Sequence, residues 1–267
     1  MKSYFKGKIK ADTERRKQER KNEINERFSK TESKNRKFPV NNINEKRFFF
    51  LPKFNIIGKL SKSALALYPV LCSMADFDKN EWFHALKEDL VCASGLSYTQ
   101  VIKAITELKD LGLLKQRKVT ECKLHYYMYK VDFIRKPLIK KMKKDAFIFH
   151  TCIIDSGVWA KLKPRAKALY IALRSAAQND LHEYCSLEYD MDYNELHELD
   201  EDIKGEWYRN RKWDMCNVPL INLCRLVNIS HQNILTVIEQ LEEYVLVKRY
   251  PNTFRVYLKP FFNNNIN

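Results

Sequence analysis

Two stretches of the chain decide its fold: GLSYTQVIKAITELKDLGL at positions 95–113 and NISHQNILTVIEQLEEYVL at positions 228–246. Each begins with Gly or Asn, then has an apolar residue and a serine, and continues with apolar residues three and four positions apart. That spacing is typical of one buried helix face. A pattern of this size that occurs twice indicates an internal repeat.

The repeat extends upstream, because ALALY at 64–68 returns as AKALY at 166–170. A serine (Ser61 or Ser63) and the Lys163-Pro164 pair are suitable helix starts. The spacing predicts one buried face on each helix: Ala64, Leu67, Tyr68, Leu71 and Cys72 in the first copy, and Ala166, Leu169, Tyr170 and Leu173 in the second. Phe-rich segments at 48–52 and 147–149 precede them and mark the entry into ordered structure.

A helix-turn-helix is predicted in each copy. Gly95 and Asn228 stand where a sharp turn between two helices requires left-handed backbone. Ser97 and Ser230 stand where a hydroxyl caps the following helix, a contribution of about 1 kcal/mol each. In the first copy we expect four residues on the core side of that helix: Val101, Ile102, Ile105 and Leu108.

A two-stranded hairpin is predicted after each helix-turn-helix. The strands are 113–119 with 126–129 in the first copy, and 246–250 with 254–258 in the second. The first copy, LSKSALALYPVL…GLSYTQVIKAITELKDLGLLKQRKV, resembles the winged helix-turn-helix superfamily. The second copy is similar but has Tyr244-Val245 where Leu111-Gly112 stands in the first.

This resemblance implies a mainly α fold with small β wings, an α+β class, in two tandem domains that each have their own core. The expected boundaries are a basic arm at 1–46 that is disordered when free, a first winged-helix domain at 47–134, a basic linker at 135–146, and a second winged-helix domain at 147–262. The second copy has about 31 extra residues, an insertion at about 181–213.

Charge indicates the class of partner. The chain of 267 residues has a formal net charge of +15, which favours a polyanion such as nucleic acid. Between 181 and 206, however, there are ten acidic residues and one lysine. The insertion contacts the arm or a partner protein, or it is a solvated loop. Likewise the arm either binds DNA phosphates or has no dedicated role.

Contact with double-stranded DNA is expected at the outward side of each recognition helix, where side chains reach base edges in the major groove. The candidates are Ser97, Tyr98, Thr99, Gln100 and Lys103 in the first copy, and Ser230, His231, Gln232, Asn233 and Thr236 in the second. Gln and Asn can pair with adenine, which indicates an A/T-containing site. Alternatively, either surface is a solvated face, or one has become a dimer contact.

The hairpins contribute further candidates. Phosphate anchors on the wings are Arg117, Lys118, Lys123, Lys248, Arg249 and Arg255. The alternative is ordinary edge-strand charge, which discourages aggregation.

Two winged helices in a basic chain of this size resemble the replication initiators of plasmids and other mobile elements. The resemblance implies binding to repeated origin sites, with host replication proteins or a second copy as further partners. A transcriptional regulator that binds an operator, and whose insertion receives an effector or partner, is the alternative.

Compartment and chemistry are constrained by what the sequence lacks. Seven scattered cysteines without a CxxC pair fit a reducing cytosol, and no apolar stretch approaches the roughly 18 residues of a membrane span. We therefore expect a cytoplasmic, nucleoid-associated protein without catalytic residues, metal or cofactor. Weaker possibilities are zinc at His182 with Cys185 or His197 with Cys216, and a divalent ion at Asp190 and Asp192.

Overall fold

The computed structural model describes residues 47–53, 57–75, 82–121, 124–131, 146–178 and 180–260. The arm predicted at 1–46, the linker residues 135–145 and the wing residue Lys123 lie outside these ranges. The described chain is a mixed α+β protein with small antiparallel sheets.

The helices and strands fall into two series. The first repeat contains β1 (Phe48–Pro52), α1 (Lys62–Met74), β2 (Phe83–His84), α2 (Lys87–Ser94), α3 (Tyr98–Asp110), β3 (Leu114–Glu121) and β4 (Leu124–Val131). The second repeat contains β5 (Ala146–His150), α4 (Cys152–Asp155), α5 (Val158–Lys161), α6 (Pro164–Ala176), α7 (Leu181–Tyr189), α8 (Tyr193–Glu198), α9 (Glu201–Asn210), β6 (Trp213–Cys216), α10 (Leu220–Val227), α11 (His231–Glu243), β7 (Val247–Arg249) and β8 (Phe254–Tyr257).

Apart from α4, α5 and the inserted α7–α9, the two repeats have the same order: a strand, a helix, a short strand, two helices and two strands. The short strand joins the predicted hairpin in both, so the sheets have the orders β2-β4-β3 and β6-β8-β7. These short strands were not predicted, because two to four residues are too few to show an alternating pattern. No helix in the described residues is long and apolar enough to cross a membrane.

The turn between the two helices of each helix-turn-helix is as predicted. Gly95 and Asn228 both adopt left-handed backbone, with φ of 63° and 49°. Ser97 caps α3: its Oγ accepts from the Gln100 N–H at 3.3 Å, and Gln100 Oε1 accepts from the Ser97 N–H at 3.0 Å. The prediction for Ser230 is wrong, because its side chain does not cap α11.

The turns after α3 and α11 have the same backbone conformation, although a glycine in the first repeat is a valine in the second. Gly112 has a φ of 71° and Val245, its equivalent, a φ of 52°. The next amide closes the same turn in both, from Leu113 to Leu108 O and from Leu246 to Leu241 O, each at 2.9 Å. Left-handed backbone costs a residue with a Cβ roughly 1–2 kcal/mol, so valine keeps this turn at a conformational cost.

The core is shared between the repeats, contrary to the expectation of one core per domain. In α1 all ten residues 64–73 are buried, and in α6 all ten residues 166–175 are. The prediction of one buried face on each helix is therefore incomplete. A helix buried on all sides is enclosed by other elements, and here α1 and α6 pack against each other. One continuous core consequently includes both repeats.

Further contacts join the repeats around this helix pair. β1 and β5 form an antiparallel pair in which Phe49 lies opposite Phe149, with stacked rings 5.2 Å apart. The indole N–H of Trp159, in α5, donates to Ala66 O at 2.9 Å. Gly95 lies so close to α5 that a Cβ there would stand 1.9 Å from Ala160 O. The first helix-turn-helix is thus fitted against the second repeat.

The acidic insertion is helical and is not a solvated loop. Asp180, just before the insertion, and Asp192 and Asp200 within it each accept a backbone N–H at the start of α7, α8 and α9, so an aspartate caps each of the three helices. A small separate cluster of buried residues lies beneath them: Tyr184, Cys185, Leu196, Trp213 and Met215.

A buried ionic group lies next to the insertion. Asp214, in β6, accepts from Arg174 of α6 at 2.7 Å and from Arg211, just after α9, at 2.5 Å. Burial acts to raise the pKa of Asp214, but the charges and hydrogen bonds of the two guanidinium groups outweigh it, and its pKa is lowered. The carboxylate therefore stays ionised and ties the end of the insertion to the core.

Substitution of Gly95 by alanine tests the fit between the repeats. Gly112→Ala is the matched control, since Gly112 has similar backbone but open space around a Cβ. We expect Gly112→Ala to lower the free energy of unfolding by about 1 kcal/mol, and Gly95→Ala to lower it by about 1–3 kcal/mol more, because Ala160 must move. Urea unfolding measures both. Equal losses would contradict the observed contact.

Candidate nucleic-acid interface

The exposed side of α3 carries the residues predicted for the first copy. Ser97, Tyr98, Thr99 and Lys103 are exposed and Gln100 is half-buried. The Gln100 oxygen is used in the cap, so the predicted two-bond pairing with adenine would require it to share that oxygen.

One core prediction on α3 is wrong. Ile102 is 40% exposed, and Ala104 is buried beside Val101, Ile105 and Leu108 instead. The sequence pattern did not distinguish the two arrangements, because a small alanine gives a weak apolar signal next to an isoleucine.

The exposed side of α11 has the same layout. Ser230, His231, Gln232, Asn233 and Thr236 are all exposed. Asn233 donates through Nδ2 to Ser230 Oγ at 2.8 Å. The other side chains of this set make no hydrogen bond or ion pair to any residue that the structure describes. They are therefore available to a ligand.

Charge is distributed in the same way along both helices. The acids of α3 begin at Glu107 and those of α11 begin at Glu239, so the first two turns of each helix contain none. A helix N-terminus carries a partial positive charge, which favours a nearby anion. Both helices therefore present their N-terminal half, and not their C-terminal half, as the surface suited to phosphate.

A lysine and two tyrosines extend this surface in the first repeat. Lys87 Nζ, at the start of α2, lies 5.5 Å from the ring centre of Tyr98 and 5.1 Å from that of Tyr127 in β4. Lys87 and Tyr127 were not predicted. Their contact joins α2, α3 and the hairpin, which no local sequence pattern could indicate.

The predicted wing cations differ in their surroundings. Lys118, Lys248 and Arg249 are exposed. Arg117 is also exposed, with its guanidinium 4.6 Å from the ring centre of Trp82. Arg255 is half-buried, its guanidinium 4.6 Å from Trp213 and 5.2 Å from Tyr250. Arg255 is thus the cation of this set least open to a phosphate.

In each helix-turn-helix, a lysine from the opposite repeat binds a backbone carbonyl at or next to the turn between the two helices. Lys62, at the start of α1, donates through Nζ to Asn228 O at 3.0 Å. Lys167, in α6, donates through Nζ to Ser94 O at 2.5 Å and is completely buried. Each helix-turn-helix is therefore bound to the first long helix of the other repeat.

Each helix is also tied to its own repeat in an equivalent way. Glu107 of α3 accepts from the Ser61 N–H at 2.5 Å, and Gln240 of α11 accepts from the Lys163 N–H at 3.3 Å. Ser61 and Lys163 are the N-cap residues that precede α1 and α6. The positions of α3 and α11 relative to each other are consequently set by the shared core.

Burial lowers the pKa of Lys167 to about 8. In the unfolded chain a lysine titrates near 10.4. Between these two values the unfolded chain binds more protons than the folded one, so the free energy of unfolding rises with pH in this window.

The contribution of Lys167 is expected to change with pH accordingly. We predict that the free energy of unfolding of the wild type, relative to that of Lys167→Met, increases from pH 8 to about 10.4. Urea unfolding at several pH values measures it. Lys161→Met, which removes an exposed lysine of α5, is the matched control. A difference between wild type and Lys167→Met that does not change with pH would contradict the lowered pKa.

The weaker metal candidates have structural roles. Asp190 is the left-handed residue that ends α7, and Asp192 caps α8 with its carboxylate. The His182 ring contacts Tyr193, with ring centres 5.2 Å apart. Among the described residues, no group of three or more His, Cys, Asp or Glu could hold a metal ion.

Comparison of the chain with protein-family models, with curated protein sequences and with solved structures gives no match.

Proposed function

We propose that the chain is a sequence-specific double-stranded DNA-binding protein that binds with both repeats. The observation that carries this proposal is that α3 and α11 have equivalent exposed surfaces. Each is the second helix of a helix-turn-helix, and each has an exposed, acid-free N-terminal half that carries amide, hydroxyl, amine or imidazole groups. Such groups bind base edges and phosphates in the major groove.

The order of elements in each repeat supports the winged-helix interpretation. Each repeat has a helix, a short strand, a helix-turn-helix and a hairpin that shares a sheet with the short strand, the elements expected of the winged-helix superfamily that the sequence resembles. The exposed cations on both hairpins are suited to phosphates beside the groove. A net charge of +15 adds long-range attraction to a polyanion.

The shared core supports the use of two half-sites. Because α3 and α11 belong to one packed unit, their separation is constant, and DNA that contacts both must present two half-sites at one spacing. A replication initiator at the repeated sites of a plasmid, phage or integrated element requires recognition of extended sites of this kind.

A transcriptional regulator is the second candidate, favoured by the insertion. Helices α7–α9 have their own buried cluster and leave four large apolar side chains exposed: Leu187, Tyr189, Tyr193 and Ile203. An effector or partner protein could bind there. Many copies of the selected site beside a replication origin would favour the initiator, and one copy at a promoter would favour the regulator.

Substitution of Lys103 tests base contact by α3. The full chain is used to select duplexes from a random pool, and its affinity for the selected and for a random duplex is then measured. We expect Lys103→Ala to weaken binding of the selected duplex by about 1–3 kcal/mol and to affect the random duplex less. Gln232→Ala is the equivalent test for α11.

Lys109→Ala is the matched control, because Lys109 lies on α3 but in its acidic C-terminal half. It should leave the preference for the selected duplex unchanged. Equal losses on both duplexes from Lys103→Ala and from Gln232→Ala would refute base contact. Selection of no sequence at all would refute the proposed function.

A further inference from the structure

Ile102 and Leu235 are large apolar residues at equivalent positions of α3 and α11, five residues after Ser97 and Ser230. Both face outward, with 40% and 38% of their surface exposed. A single exposed apolar residue is ordinary on a protein surface. The same exposure at the same position of both helices suits a ligand that the two helices share.

The core does not need these two side chains. On α3 the core positions are filled by Val101, Ala104, Ile105 and Leu108, and on α11 they are filled by Ile234, Val237, Ile238 and Leu241. Ile102 instead lines a shallow surface cavity of about 470 Å³, together with Lys59, Lys103, Thr106, Glu107, Asp110 and Leu111. Of the α3 residues in this lining, Ile102 is the nearest to the N-terminus of the helix, where it lies beside the candidate base contacts Thr99 and Lys103.

The major groove offers a matching group. Among the four bases only thymine presents an apolar group there, its C5-methyl, beside hydrogen-bonding edges. A helix with an apolar side chain flanked by amine, amide and hydroxyl groups matches that mixture. On α3 the flanking residues are Thr99 and Lys103, and on α11 they are Gln232 and Thr236.

We propose that Ile102 and Leu235 each contact the methyl group of a thymine, and so require thymine at the equivalent position of the two half-sites. This inference rests on the proposed function and adds two specificity-determining residues to it. The lysine, amide and hydroxyl side chains then bind the neighbouring bases and phosphates.

Deoxyuridine distinguishes the methyl group from the rest of the base. A duplex selected from a random pool by the full chain is prepared with each thymidine replaced singly by deoxyuridine, which pairs identically but lacks the methyl. At one position in each half-site the replacement should weaken wild-type binding about fourfold, the effect of one buried methyl group. For Ile102→Ala and Leu235→Ala the effect should vanish, each at its own position.

The matched control is Ile203→Ala, which removes an isoleucine that is 42% exposed on α9, in the acidic insertion. It should keep the full response to deoxyuridine. If no deoxyuridine replacement weakens wild-type binding, the thymine contact is overturned while the proposed function stands. The same holds if a replacement weakens binding of wild type and of Ile102→Ala equally. Selection of no duplex would overturn the proposed function, and the inference with it.

Discussion

The packing of α1 against α6 is the contact on which the rest of the structure depends. Each helix is buried on all sides over ten consecutive residues, and each is enclosed partly by its counterpart in the other repeat. The two repeats therefore share one core and form a single packed unit around these two helices. Close packing of this kind transmits strain and resists sliding.

A few polar contacts connect this helix pair to the proposed DNA surface. Lys62 of the first repeat donates to Asn228 O of the second, and Lys167 of the second repeat donates to Ser94 O of the first. Gly95 is confined by Ala160 in the same region. The helix-turn-helix units are therefore held by the opposite repeat as well as by their own. Under the proposed function, that arrangement is suited to recognising two half-sites together, because the same core positions both helices.

Much of this fold follows from local sequence pattern, and the parts that do not have identifiable causes. The left-handed turns at Gly95 and Asn228, the start of α6 at Pro164 and both hairpins were predicted from residue type and spacing. The shared core was not, because an apolar pattern shows which residues are buried but not which partner buries them. A lysine inside an apolar run, Lys167, was the available signal of an unusual environment. Helices α7–α9 were missed because their polar composition hides any periodic face. On the candidate surface the hydrogen-bonding residues were predicted, whereas Ile102 was assigned to the core.

If α3 and α11 contact DNA together at one separation, as proposed, binding must depend on the distance between the two half-sites, and insertion of base pairs between the half-sites of a selected duplex measures that dependence. Five added base pairs turn the second half-site by about half a helical turn, to the opposite face of the duplex. We expect the affinity then to fall to that of a duplex with one half-site. Unchanged affinity with five added base pairs would show that the two helices bind DNA independently of each other, contrary to the proposed joint contact.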